Sequence, residues 1–126
     1  MAEARYALVG GTGTCVLEHP QHGTLRLPVI AISCVEAELD GNQTFQVNEY
    51  LDVTLELDGA EPAALFANVV ASGGPIRLRW LHFDPAERGR LDARLVAFAK
   101  ARNLAGGPIP DEPPPAKRTE RKGKGT

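Results

Sequence analysis

The chain has 126 residues, 43% hydrophobic and 24% charged, with only 6% aromatic. That is enough for one aliphatic core and too little for two, and it excludes wholesale disorder. The formal charge of −2 hides a division: residues 1–115 carry nine Lys/Arg against fifteen Asp/Glu, whereas residues 116–126 carry five against one. An acidic body argues against a nucleic-acid surface, and no apolar run approaches the ~20 residues of a membrane-spanning helix. The first residues, Met1-Ala2-Glu3-Ala4-Arg5, lack the basic patch and apolar run of a signal peptide. The chain is therefore expected to be cytoplasmic.

Taken in chain order, residues 1–11 form a flexible lead-in, and a first strand is expected from Thr12 to His19. Pro20-Gln21-His22-Gly23 is a turn. A second strand runs from Thr24 to Val35, with Pro28 marking an edge, a bulge or a break. The polar loop Asp40-Gly41-Asn42-Gln43 follows. Tyr50 to Leu57 is the clearest strand, with Leu51, Val53, Leu55 and Leu57 on one face and Asp52, Thr54 and Glu56 on the other. Asp58-Gly59 turns the chain into Ala63–Ala71, and Gly73-Gly74-Pro75 turns it again into Ile76–Phe83. In that last strand Ile76, Leu78 and Trp80 alternate with Arg77 and Arg79. A helix then starts with Asp84 as cap, Pro85 at its first position and Glu87 as the partner of a capping box. Leu91, Leu95 and Phe98 form its buried stripe, and Gly106 is the expected terminator. Residues 105–126, rich in proline and then in basic residues, are expected to be a disordered tail. Five or six short antiparallel strands with one covering helix are most economically closed as a small barrel.

The chemistry-bearing residues are sparse. Gly10-Gly11-Thr12-Gly13 looks like a phosphate loop, but no strand–loop–helix context surrounds it and no Walker lysine follows. His19 and His22 flank a turn without third and fourth metal ligands nearby, so they are expected to face solvent. His82, between Trp80 and Phe83, is expected to be packed or hydrogen-bonded. Ser33 and Cys34 are nucleophiles by atom type alone, with no base or orienting acid in sight. Cys15 and Cys34 have no metal-site spacing and are expected to be reduced, buried hydrophobes. Arg77 and Arg79 share a face suited to clamping a phosphate or carboxylate, although pairing with carboxylates on a neighbouring strand is the ordinary outcome. No cofactor, metal site or catalytic constellation is expected.

From about Thr12 to Lys100 the order of features resembles a PilZ domain. The carriers are Leu25-Arg26-Leu27-Pro28-Val29-Ile30-Ala31-Ile32-Ser33-Cys34-Val35-Glu36-Ala37-Glu38-Leu39 and Val47-Asn48-Glu49-Tyr50-Leu51-Asp52-Val53-Thr54-Leu55-Glu56-Leu57. The return strand Ala64–Val70, Ile76-Arg77-Leu78-Arg79-Trp80-Leu81-His82-Phe83 and the helix start at Asp84-Pro85-Ala86-Glu87 complete the pattern. The resemblance implies a mainly β fold: a small six-stranded antiparallel barrel over residues 12–104, closed by one C-terminal amphipathic helix. It also implies bacterial signalling and, by analogy of fold, control of motility or cell polarity.

Many members of that family bind cyclic di-GMP through an RxxxR stretch and a DxSxxG motif. Here the second motif falls on Ala31-Ile32-Ser33-Cys34-Val35-Glu36. Ser33 alone matches, Ala31 replaces the acid, and Glu36 replaces the glycine. The first motif is missing: Arg5 is the only arginine before Arg26, and Val9 stands four residues after it. Each charge-assisted bond to a phosphate contributes roughly 1.5–3 kcal/mol. Losing two arginines and gaining an acid therefore predicts that cyclic di-GMP is not bound. The expected activity is that of a non-enzymatic adaptor for a protein partner, with a contact region around Arg77, Arg79 and Trp80. The alternative is a cyclic di-GMP receptor with a non-standard site, drawing phosphate contacts from Arg5, Arg26 or the tail.

Overall fold

The computed structural model describes residues 3–109. Seven strands and one helix follow in order: β1 (Tyr6–Ala7), β2 (Gly13–His19), β3 (Gly23–Ile32), β4 (Glu36–Leu39), β5 (Tyr50–Leu57), β6 (Ala63–Ala71), β7 (Ile76–Trp80) and α1 (Pro85–Arg102). Antiparallel neighbours run β3-β2-β5-β6-β7-β4, and β4 returns to β3, which closes a six-stranded barrel. Closure gives every barrel strand two strand neighbours, so none is a free edge strand, which limits edge-to-edge association.

The register carries the alternation of the sequence directly into the core. Cys15 faces Leu27 on one side and Leu55 on the other, and Val69 faces Leu78. Leu17, Val29, Ile32, Leu39, Val53, Leu55, Val69, Ile76 and Leu78 are all buried inside, and Leu91, Leu95, Phe98 and Ala99 of α1 join the same cluster. Burying an aliphatic side chain of this size contributes about 1.5–3 kcal/mol. The helix starts as the sequence predicts: Asp84 Oδ1 accepts the Glu87 N–H at 3.1 Å, and Glu87 Oε1 accepts the Phe83 N–H at 2.9 Å. It stops earlier than expected. Asn103, at φ 57°, takes the left-handed cap position expected of Gly106, a conformation asparagine tolerates.

Four other expectations change. The strand read as Thr24–Val35 ends at Ile32, and a separate β4 follows the turn 33–35. The strand read as ending at Phe83 stops at Trp80. Residues 5–8 are not a flexible lead-in: Tyr6 pairs with Ile32 and Ala7 with Ala31, on the β3 edge that β2 vacates, and Tyr6 and Leu8 are buried. The presumed tail start at 105 is also structured, because Arg5 and Gly107 exchange backbone hydrogen bonds of 3.0 and 2.7 Å. The rest of the expected tail, from residue 110, lies outside the described residues. The bulge announced by Pro28 lies between Val29 and Ala31, where β3 changes neighbours.

Candidate functional site at the turn between β3 and β4

The residues that align with DxSxxG sit on the turn joining β3 to β4. No glycine or proline makes this turn. Ser33 makes it, with its Oγ accepting the N–H of Val35 at 3.0 Å and of Glu36 at 3.2 Å, while its own N–H donates to the Glu36 carbonyl at 2.9 Å. Ser33 is 1% exposed. The three carbonyls of the turn are then taken from the far side. Trp80 Nε1 donates to Ser33 O at 3.0 Å, the Trp80 backbone N–H donates to Val35 O at 2.9 Å, and His82 Nε2 donates to Cys34 O at 2.8 Å. A carbonyl can only accept, so the His82 ring proton is on Nε2. His82 is thus hydrogen-bonded, as expected. Trp80, expected at a contact surface, is instead buried at 4% exposure, because the inward alternation of β7 continues through it.

Glu36 stands where the motif has glycine. Arg77 Nη2 lies 3.1 Å from both of its carboxylate oxygens, and Arg79 Nη2 is 3.9 Å from Oε1. In register Glu36 faces Arg79 and Glu38 faces Arg77, so Arg77 reaches Glu36 diagonally. The Glu36 side chain is only 12% exposed, against 41% and 37% for Arg77 and Arg79. Cross-strand pairing is thus what the two arginines do. The cations named for a non-standard phosphate site are also engaged: Arg5 pairs with Glu38 at 2.9 Å, and Arg26 pairs with Glu56. Ala31 is covered but lies on the outer face, paired with Glu38 and Ala7 while Ile32 turns to the core, so an acid there would stand beside Glu38.

One contact beside this turn was not foreseen from sequence. Arg88 of α1 grips Glu3 with two hydrogen bonds, Nε to Oε2 at 2.8 Å and Nη2 to Oε1. Arg88 first and Cys34 second hold the Glu3 carboxyl down to about 2 from an ordinary 4.5. Burial, then the Glu3 carboxylate, push the Cys34 thiol up to about 11. Arg88 is held even more firmly protonated by Glu3. Residues 3–8 thus cross the turn and are fastened to the helix beyond it.

The remaining candidates have structural roles. Gly13 is a packing glycine: a Cβ there would fall 2.5 Å from Leu8 Cδ2 and 3.2 Å from Leu57 Cδ2. His19, expected to face solvent, is buried. Its Nδ1 accepts the N–H groups of Gln21 and His22 at 3.1 and 3.2 Å, and its Nε2 lies 2.7 Å from Glu49 Oε2. Two donors on Nδ1 place the ring proton on Nε2. His22 is exposed and meets the Thr44 carbonyl at 3.1 Å. Both cysteines are free and buried, and burial pushes Cys15 up to about 12.

The fold is shared with solved structures. The cyclic di-GMP complex of MrkH from K. pneumonia has a TM-score of 0.65 at 13% identity, covering 82% of this chain and 54% of MrkH. The PilZ domain of YcgR from Escherichia coli, also with cyclic di-GMP, has a TM-score of 0.64 at 14% identity, covering 82% and 94%. This barrel has the PilZ fold. The Bacillus subtilis inhibitor of motility, MotI, has a TM-score of 0.56 at 15% identity, covering 82% and 52%. The PilZ-like chain therefore spans about half the length of MrkH and MotI. No protein-family model and no curated protein sequence matches it. Among the described residues no helix is long and apolar enough to cross a membrane.

Proposed function

We propose that this PilZ-like chain is a non-enzymatic bacterial signalling adaptor that does not bind cyclic di-GMP and acts by contacting another protein. The observation that carries this reading is the Glu36 carboxylate, 12% exposed and gripped by Arg77 at the position of the motif glycine. A phosphate approaching there would have to break that pairing and then sit beside a carboxylate. Both terms oppose binding, since breaking a shielded ion pair leaves an uncompensated charge. The guanidinium groups that a phosphate would recruit, those of Arg5, Arg77 and Arg26, already neutralise carboxylates of this chain.

The absence of catalysis in this reading is supported at Ser33 and Cys34. The Ser33 hydroxyl accepts two backbone N–H groups, and the Cys34 thiol is buried and held protonated. Among the described residues Ser33 has no base beside it, and the carboxylate near Cys34, Glu3, is held by Arg88 and pushes the thiol up rather than activating it. A role in motility or cell polarity rests on analogy of fold with proteins such as the inhibitor of motility. Arg77 and Arg79 remain partly exposed and stay in the proposed contact face; Trp80 leaves it. Calorimetric titration with cyclic di-GMP tests the reading, and saturable binding would favour the receptor alternative.

A further inference from the structure

We propose that the groove between β6 and α1 is the protein-docking site, and that its occupant is a partner segment presenting an aromatic or branched aliphatic side chain beside a carboxylate. This inference rests on the adaptor reading and gives it a surface.

The groove has a volume of about 450 Å3, and its walls include Leu65, Phe66, Phe83, Leu91, Arg90 and Arg94. Beside it runs a ladder of three rings on the outer surface. Tyr50 stacks on Phe66 at 5.8 Å and 11°, and Phe66 stacks on Phe83 at 6.0 Å and 25°. Tyr50 is 63% exposed and Phe83 76%. Single exposed apolar residues are ordinary, whereas a contiguous aromatic patch at the lip of a groove marks an interaction site. Core packing does not require these rings to point outward. Tyr50 and Phe66 lie on the outward alternation of β5 and β6, and the barrel interior is filled without them.

The charge of the groove selects the occupant. Arg90 has no hydrogen-bond or ion-pair partner among the described residues. Arg94 spends one nitrogen, Nη1, on the Glu61 carbonyl at 2.7 Å. The one carboxylate in the wall, Glu87, is turned to the Phe83 N–H. Two guanidinium groups against one committed carboxylate make a cationic rim on an otherwise acidic body. Aromatic rings with arginine beside them are the combination enriched at the centres of protein interfaces. β7 pairs with β6 only over Ala67–Ala71, and at the groove the rings and guanidinium groups are what a partner's side chains would meet.

The test is a selection of a random-peptide phage library on the full chain, followed by fluorescence anisotropy of the enriched peptides with Phe83→Ser and Arg90→Glu variants. Both positions are exposed, so unchanged thermal midpoints check that the variants are folded. The expected result is enrichment of aromatic or aliphatic residues beside Asp or Glu. Each substitution should weaken binding on the order of tenfold, and a repeat selection on Arg90→Glu should lose the acidic preference. No enrichment, or peptides indifferent to both substitutions, overturns the groove. If the enriched peptides instead depend on Arg77 and Arg79, the groove is wrong and the adaptor reading stands. Saturable cyclic di-GMP binding defeats the adaptor reading whatever the peptides do.

Discussion

Trp80 Nε1 donates a 3.0 Å hydrogen bond to the carbonyl of Ser33, tying the end of β7 to the turn between β3 and β4. Both residues are buried, so neither group can turn to water when the other is removed. Trp80→Phe keeps most of the ring volume and leaves the carbonyl without this donor. Ser33→Ala leaves the Val35 and Glu36 N–H groups without their side-chain acceptor. Each substitution is expected to lower stability by about 1–3 kcal/mol. Urea denaturation with an unchanged slope checks this, and a midpoint equal to that of the wild type would show that the turn does not depend on these bonds.

The Glu3–Arg88 pair has a definite pH signature. The folded Glu3 carboxyl is lowered to about 2 from 4.5. Its contribution is therefore complete above the unfolded value and is lost as pH falls from 4.5 towards 2. The gap in stability between the wild type and Glu3→Gln should be constant near neutrality and shrink through that acid window. Both side chains are partly exposed, so the gap itself should stay below about 1 kcal/mol. Paired denaturation curves across pH measure it; a gap that widens on acidification would contradict the assignment.

Truncation should separate two boundaries. Residues 110–126 contain no large apolar side chain, so ending the chain after Ile109 should leave the thermal midpoint within a few degrees. Ending it after Leu104 also removes the Gly107 bonds to Arg5 and the contact of Gly106 with Tyr6. That cut should lower the midpoint further and loosen β1. Differential scanning calorimetry of the two truncations decides the matter, and equal midpoints would return the boundary to residue 104.

How far the sequence was legible depends on where each signal resides. The strict alternation of β5 and β7, and the Asp84-Pro85 start of α1, are local, and the structure keeps them. The turn at Ser33 was invisible because a hydroxyl closes it, without a glycine or proline to announce it. β1 is two residues long and exists through pairing with Ile32 and Ala31 far along the chain. The Glu3–Arg88 grip joins residues 85 positions apart. His19 was misplaced because its burial is created by Glu49 and Phe45 from a distant loop. The aromatic ladder left a readable trace: on β6, residues 63, 65, 67 and 69 alternate inward, which sends Phe66 outward alongside Tyr50. The motif positions Ala31, Ser33 and Glu36 were placed by resemblance alone, and their structural roles emerged only with their partners.

In the proposed reading, internal pairing around Glu36 stands where a nucleotide site would be. Isothermal titration calorimetry of the full chain with cyclic di-GMP tests it most directly. The account predicts no saturable heat with ligand up to about 100 μM, because binding weaker than that leaves under about 5.5 kcal/mol of affinity. A saturable isotherm with a low-micromolar Kd would contradict it.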